Sequence, residues 1–296
     1  MSSQVAVSTE KTIKKRSQMK FIWHRFKKNK LAMIGLFMLI ILTLLSVCAP
    51  LLSDYEKDVI SQDVKIRFQS PNKDHIFGTD QYGRDIFARI IYGGRISLSM
   101  GFAVVAIAML FGSIIGASAG YYGGKIDNVL MRIMDVFLAI PQILMAMAIV
   151  AALGTDIRNL LIAMSIANIP KFARIVRSAI LQIRNQEFIE AARACGTSDV
   201  RIILKHIIPN AIGPIIVQAT LNIAQTIIGI AGLSFIGLGI QPPKPEWGTM
   251  LAEAKSHMRN YPYLVIIPGL SIMMAVLAFN LIGDGLRDAL DPKLKN

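Results

Sequence analysis

The sequence predicts an all-α, polytopic membrane protein with six transmembrane helices. Its 296 residues are 53% hydrophobic, with a mean hydropathy of +0.51, and the apolar residues occur in long blocks. Charged residues make up 17% of the chain, below the roughly 25% of soluble domains, and they cluster between the blocks. A helix needs about 20 apolar residues to cross a bilayer, and five uncharged runs are at least that long. These runs are 31–52, 96–124, 136–155, 207–243 and 261–283.

Residues 1–30 are predicted to form a basic arm before the first transmembrane helix, 31–52. Nine Lys or Arg residues lie between Lys11 and Lys30, with no Asp or Glu among them, and the formal net charge of the chain is +13. Basic residues beside a membrane span orient the span and contact anionic lipid. The charge therefore indicates membrane lipid, rather than nucleic acid, as the partner of the arm.

A sixth span is predicted around the twelve uncharged residues 159–170, which are too few to cross a bilayer alone. A helix that continues to Val176 is long enough. Its three basic residues, Lys171, Arg174 and Arg177, are then expected near one interface, where long basic side chains reach the headgroups.

Six spans place both termini on one side of the membrane, and the basic residues select that side as the cytoplasm. Segment 171–206 carries seven Lys or Arg against three acidic residues, and cytoplasmic loops are enriched in basic residues. The loop 53–95, in which the charges are mixed, is then extracytoplasmic. The core 96–283 follows it, and residues 284–296 are expected to form a cytoplasmic tail.

The polar segment 185–206 is predicted to form two short cytoplasmic helices joined by a glycine turn. Asn185 is placed to cap the first helix and Gly196 to end it, while Ser198 is placed to cap the second. One face of the first helix is apolar and consists of Phe188, Ala191, Ala192 and Cys195. Such a face can dock into a groove on another protein. Pro209 stands near the start of the fifth span. Such a segment can pass motion from a cytoplasmic partner to that span.

This segment resembles the cytoplasmic signature of permease subunits of ATP-binding-cassette importers. That signature reads Glu-Ala-Ala, three residues, Gly, nine residues, then Ile-x-Leu-Pro. The residues that match it in register are Glu190, Ala191, Ala192, Gly196 and Pro209, whereas His206 and Ile208 stand at its Ile and Leu. The resemblance implies a coupling helix seated on an ATPase subunit, with Phe188 on its docking face.

A second motif lies in the extracytoplasmic loop, 75–85. Its glycines, threonine and charged residues are Gly78, Thr79, Asp80, Gly83, Arg84 and Asp85. Taken alone, the motif is interpreted as a solvated loop of glycine turns that enters a helix. It also looks like the segment before the second span in the C-type permease of the peptide and nickel importer family, as do 233–243 and 283–292 in their places. The resemblance extends over nearly the whole chain after Phe26 and implies a fold like that of type I importer permeases.

The fifth span carries a polar stripe of Gln218, Asn222 and Gln225, at positions i, i+4 and i+7. Two interpretations stay open, namely hydrogen bonds between helices and a wet translocation path. On the second span, Gly112, Gly116 and Gly120 lie four apart and indicate close helix packing. Four prolines lie in or beside spans, namely Pro141, Pro170, Pro214 and Pro268. They are interpreted as static bends or hinges.

The sequence offers no energy source of its own. It has no Gly-x4-Gly-Lys-Ser/Thr loop, so the chain is not expected to hydrolyse ATP or to bind a cofactor or metal. The five long runs contain no Asp, Glu, Lys or Arg, which disfavours an ion-coupled carrier.

The family resemblance implies the permease subunit of an ATP-driven importer of oligopeptides or dipeptides. Its implied partners are a second permease, two cytoplasmic ATPases that bind ATP and Mg, and an extracytoplasmic peptide-binding protein. The alternatives are a nickel or metal-chelate permease of the same family and, from another class, a stand-alone secondary carrier or channel.

Overall fold

A computed structural model describes residues 18–290, so residues 1–17 of the predicted arm and 291–296 of the predicted tail lie outside it. The described residues form α-helices and contain no β-strand, apart from one isolated bridge between Thr79 and Asp85. The helices are α1 (Gln18–Lys28), α2 (Lys30–Val47), α3 (Ala49–Leu52), α4 (Ile86–Tyr122), α5 (Gly124–Leu138), α6 (Gln142–Leu153), α7 (Ile157–Ile183), α8 (Glu187–Ala194), α9 (Asp199–Ile202), α10 (Ile208–Phe235), α11 (Trp247–Ala254) and α12 (Tyr263–Leu290).

Six crossings of a bilayer fit the part of the chain described here. Four helices, α2, α4, α7 and α12, are each long and apolar enough to cross, and so is the continuous helix from α9 through α10, Asp199–Phe235. The pair α5 and α6 passes the same test together but is bent by 83°, and counting it as one broken span brings the number of crossings to six. The all-helical fold and the weak span are confirmed, because α7 is one helix of 27 residues.

The third crossing departs from the straight helix that the run 136–155 predicted. The chain breaks between α5 and α6, where Pro141 stands at the N-cap of α6. Proline lacks an N–H and disfavours helical geometry at the residue before it, which here is Ile140. The uncharged run is therefore divided between the end of α5 and the 12-residue α6.

The second crossing begins ten residues earlier than its apolar run, at Ile86. The carboxylate of Asp85 accepts a hydrogen bond from the backbone N–H of Ala88 at 2.8 Å, so Asp85 is the N-cap of α4. The added turns carry Arg89, whose side chain is buried within the protein. A charged residue therefore lies on the helix of a predicted span, outside the uncharged run.

The three glycines of the predicted stripe on α4, which are Gly112, Gly116 and Gly120, bring its backbone against α7, as their spacing predicted. A Cβ at Gly112 would lie 2.5 Å from the Cβ of Phe172, and one at Gly120 would lie 3.0 Å from the Cβ of Ile180. Gly116 faces the backbone of Ala173. No side chain larger than hydrogen fits at these contacts, and the packing interpretation of the stripe is confirmed.

Two of the three basic residues expected near one interface, Arg174 and Arg177, pair with acidic residues of the protein itself. Arg177 donates two hydrogen bonds to the carboxylate of Asp127 at 2.5 and 2.6 Å, and Arg174 lies 2.8 Å from Asp135. Both acids are on α5, which lies against α7. These acidic partners could not be predicted from the sequence of α7 alone, because they belong to the neighbouring helix.

The two ends of the described chain meet at one end of the bundle. Asn29, the N-cap of α2, donates to Asp288 of α12 at 3.2 Å. The side chain of Leu290 lies beside Gly213, five residues after the start of α10. Helix α12 itself runs on to Leu290, so residues 284–290 are helical rather than a tail. Segment 185–206, which leads into α10, therefore lies at the same end as both termini of the described chain.

Candidate functional site

Helix α8 ends in a left-handed glycine turn. Gly196 has φ +71°, a backbone conformation that side chains disfavour. The N–H of Gly196 bonds to the carbonyl of Arg193 at 2.9 Å, and that of Thr197 bonds to the carbonyl of Ala192 at 3.1 Å. This pair of bonds is a Schellman motif, so the predicted helix stop is confirmed. At the other end the prediction of Asn185 as the cap is wrong, because the N-cap is Gln186, whose side chain bonds no N–H of the first turn.

The inner side of α8 is anchored by Ile189, which is fully buried among residues of α7, α9 and α10. Ala192 is half-buried against the same cluster, whereas Phe188 is 40% exposed. Ala191 and Cys195 are exposed, as is Glu190. The predicted apolar face is therefore split between the two sides of the helix. Ile189 was missed, although its spacing of three from Ala192 marks the buried side.

Tyr121, the penultimate residue of α4, ties the two short helices to the bundle. Its hydroxyl donates to the carboxylate of Asp199 at 2.6 Å. The Arg193 side chain donates to that hydroxyl at 3.4 Å and lies 5.1 Å from the centre of the ring. These contacts join α8, α9 and α4. Sequence reasoning missed Tyr121 because its partners lie more than 70 residues away.

The second short helix is continuous with the fifth span. Helix α9, which starts after Ser198 as predicted, passes through a π-helical turn, Ile203–Ile207, into α10. Pro209 follows that turn. Because proline has no backbone N–H, it cannot donate a hydrogen bond to the carbonyl of Lys205, four residues earlier. The wider π-helical turn accommodates the missing bond, so one 37-residue helix joins this segment to the membrane.

We define the coupling surface as the exposed apolar residues of this segment. They are Phe188, Ala191, Ala194, Cys195, Val200 and Leu204. Val200 and Leu204 are 63% and 59% exposed. Apolar side chains at the end of the bundle, on helices that are polar elsewhere, are typical of a surface that binds another protein.

The glycines and two of the charged residues in motif 75–85 are buried, although Ile76 and Tyr82 are exposed, so the interpretation of the whole motif as a solvated loop is wrong. Thr79, Asp80 and Arg84 are 0%, 7% and 2% exposed. Gly78 and Gly83 have φ +76° and +78°, and a Cβ on either one would clash with the backbone of residues 63–71. The hydroxyl of Thr79 donates to the carbonyl of Ile66 and accepts from the N–H of Gln69. The glycines thus allow the loop to fold tightly on itself.

Three buried charged residues and the partly buried Glu253 fasten this motif to the start of α4 and to α11. The Nε of Arg84 donates to Asp80 at 2.6 Å, and its Nη2 donates to Glu253 at 3.0 Å. Arg89 donates to the other oxygen of Glu253 at 2.7 Å. Asp85, besides capping α4, lies 2.7 Å from the Nδ1 of His75. Glu253 was missed because 169 residues separate it from Arg84. We call Asp80, Arg84, Arg89 and Glu253 the charge network.

The structure divides the polar stripe of α10. Asn222 is 1% exposed and donates to the side chain of Asn168 on α7 at 3.1 Å. Lys171, also on α7, lies 3.4 Å from the Oδ1 of Asn222. Gln218 is half-buried and Gln225 is exposed. Asn222 therefore fits the interpretation as a hydrogen bond between helices, while Gln225 remains available to a wet path.

Comparison with known proteins identifies the family. The sequence profile described as the binding-protein-dependent transport system inner membrane component matches residues 108–296. The profile of the N-terminal TM domain of oligopeptide transport permease C matches residues 17–71. The chain belongs to the binding-protein-dependent transport permeases. The first match contains the coupling surface and the polar stripe of this permease.

Curated relatives extend the match across the permease. The dipeptide transport system permease protein DppC of Alkalihalophilus pseudofirmus is 50% identical over 92% of this chain and 89% of its own length. Its counterpart in Haemophilus influenzae is 39% identical over 97% and 99%. The glutathione transport system permease protein GsiD of Escherichia coli is 44% identical over 92% and 90%. Three residues of the charge network, Asp80, Arg84 and Arg89, lie in the gap between the two profile matches, and Glu253 lies within the first match. The alignments with these relatives extend across that gap.

Solved structures confirm the importer-type fold of the permease. An inward-facing MetNI methionine ABC transporter structure has a TM-score of 0.57 at 20% identity, covering 69% of this chain and 97% of its own. An amino acid ABC transporter has a TM-score of 0.51 at 21% identity, covering 67% and 92%.

Proposed function

We propose that this permease is the C-type subunit of an ATP-driven importer of dipeptides or oligopeptides. The names of its relatives support peptides, because dipeptides and glutathione share the peptide bond. Nickel import, the alternative within the family, finds no such support among these relatives. In this proposal the protein lies in the inner membrane with both termini in the cytoplasm, which the basic residues of segments 1–30 and 171–206 support.

The coupling surface is the seat of a cytoplasmic ATPase in this proposal. ATP and Mg bind to two such ATPases, while this chain hydrolyses none. Closure of the ATPases on ATP displaces α8, whose end is fixed by Gly196. The displacement passes through α9 into α10, because the helix is continuous from Asp199 to Phe235. Glu190, Ala191 and Ala192 on α8 belong to this transmitting element. That continuity is the observation on which the proposed coupling rests.

Substrate enters from the opposite end of the bundle. A second permease pairs with this one to enclose the path, and an extracytoplasmic peptide-binding protein delivers the peptide. The charge network supports this arrangement because it ties residues 80–84 of the loop to α4 and α11, so that part of the loop has a defined position for contact with the delivering protein. The polar residues Gln218, Asn222 and Gln225 are proposed to face or border the path.

The test reconstitutes the complete importer in proteoliposomes and measures ATP-dependent uptake of a labelled dipeptide and of labelled nickel. Peptide uptake that needs all subunits is expected. Sustained uptake by vesicles that contain this chain without ATPases would favour a stand-alone carrier or channel. Uptake of nickel but not of peptide would favour the metal alternative.

A further inference from the structure

Lys171 lies in the middle of a transmembrane helix. It is fourteen residues after the start of α7 and twelve before its end. At about 1.5 Å per residue, about 20 Å of helix separates it from either end, whereas half of the hydrocarbon core is about 15 Å thick. Its neighbour Asn222 lies fourteen residues after the start of α10, on the helix that runs from Asp199 to Phe235. Lys171 therefore lies midway along α7 and beside α10, away from the ends of both membrane-spanning helices.

The positive charge of Lys171 has no carboxylate partner within ion-pair distance among residues 18–290. The other two basic residues of this stretch, Arg174 and Arg177, each meet an aspartate of α5. The contact of Lys171 is the neutral side-chain oxygen of Asn222, at 3.4 Å. An ammonium group has three hydrogens to donate. Two of them are left for an acceptor outside this part of the chain.

A charge at this depth is expensive unless an anion or water compensates it. Lys171 is half-buried, so part of its side chain remains open to a ligand. The polar residues of α10 continue above and below its neighbour Asn222, at Gln218 and Gln225. The group is thus fixed on one side by Asn222 and open on the other, beside the residues proposed to border the path.

We propose that Lys171 is a mid-membrane binding site for the C-terminal carboxylate of the transported peptide. The proposal rests on the proposed function and deepens it. Every unmodified peptide carries this carboxylate, whatever its side chains, so a fixed cation can serve peptides of different sequence. Charge-assisted hydrogen bonds between an ammonium and a carboxylate are among the stronger polar contacts. Lysine suits a passing ligand because its charge is compact and its donors rotate.

The test compares two peptides in the complete reconstituted importer, L-alanyl-L-alanine and its C-terminal amide. ATP-dependent uptake of both is measured for the wild type, Lys171→Met and Lys171→Arg. Arg158→Met is the control, because Arg158 is an exposed cation on the same helix. Only the ratio of the two uptake rates is compared between variants. Differences in assembly, and any preference of the binding protein, then cancel.

Lys171→Met is expected to lower the preference for the free carboxylate about 10-fold, the size typical of a hydrogen bond to a charged group. Lys171→Arg should restore most of that preference, and Arg158→Met should leave it unchanged. An unaltered ratio in Lys171→Met would overturn the proposal. This includes the case in which both rates fall equally, as expected if the lysine meets a fixed carboxylate on the second permease. A wild-type importer that takes up neither peptide would instead contradict the proposed function.

Discussion

The charge network holds three charged side chains buried, with Glu253 12% exposed, at the extracytoplasmic end proposed for this permease. Arg84 and Arg89 share the two oxygens of Glu253, and Arg84 also holds Asp80, so each charge is paired. Buried ion pairs of this kind add little stability compared with apolar residues of similar volume. Removing one partner, however, leaves the others as uncompensated buried charges. Substitution of any single residue of this network is therefore expected to lower the stability of the protein.

Arg84→Met is predicted to destabilise the permease by about 3 kcal/mol, because Asp80 and Glu253 lose a shared donor in a buried site. Thermal unfolding of the purified protein in detergent measures the change. Arg67→Met is the matched control, since Arg67 is an exposed arginine of the same loop. Equal melting temperatures for the two variants would show that the network does not stabilise this end.

Gly196→Val is predicted to reduce ATP-dependent uptake about 10-fold. No heavy atom lies within 4 Å of a Cβ built at Gly196, so the change acts through its φ of +71° rather than through a clash. A side chain in the left-handed region costs roughly 1–2 kcal/mol, which shifts the end of α8. Gly196→Asn is the control, because asparagine tolerates this conformation. Undiminished uptake by the valine variant would contradict a coupling role for the turn.

Among the elements, α4 and α7 show how small residues set the position of a helix. Three glycines spaced by four let the backbones of these helices meet over two turns. Since lipid tails are as apolar as the helices, close packing rather than the hydrophobic effect holds such a pair together. The stripe also fixes where α7 presents Lys171, because the neighbouring Phe172 packs on Gly112.

Gly116→Ala is predicted to destabilise the permease by about 1–3 kcal/mol, because its methyl group would overlap the backbone of Ala173. Gly269→Ala on α12 provides the comparison. A Cβ at Gly269 meets nothing within 4 Å, so alanine there is expected to be neutral or slightly stabilising. Thermal unfolding of both variants tests the contact, and a smaller loss at Gly116 than at Gly269 would contradict it.

The sequence predicted elements whose signal is local, and it missed features that depend on partners far along the chain. The lengths of the apolar runs were sufficient to predict the spans, and Gly196 was sufficient to predict the end of α8. The bend at Pro141 was not predicted, because an uncharged run has the same hydropathy whether it is straight or broken. Tyr121 and Glu253 escaped notice because single residues acquire their roles from contacts across 72 to 169 residues.

At the scale of the whole molecule, the described permease has two differently built ends. One end holds both described termini, the coupling surface and the start of α10, and the other holds the charge network and α11. The polar stripe and Lys171 lie between them. In the proposed function the first end receives force from the ATPases, the middle contacts substrate and the other end receives the delivering protein.

Photo-crosslinking from Phe188 in the intact importer tests this account most directly. A Phe188→p-benzoylphenylalanine variant places a photoreactive ring on the coupling surface, where the native side chain is 40% exposed. The same substitution at Leu51, an 85% exposed residue after the first span, is the control at the opposite end. After irradiation of native membranes, the account predicts a covalent adduct between position 188 and an ATPase subunit, and none from position 51. An adduct of position 188 with the extracytoplasmic binding protein, or an ATPase adduct from position 51 alone, would contradict it.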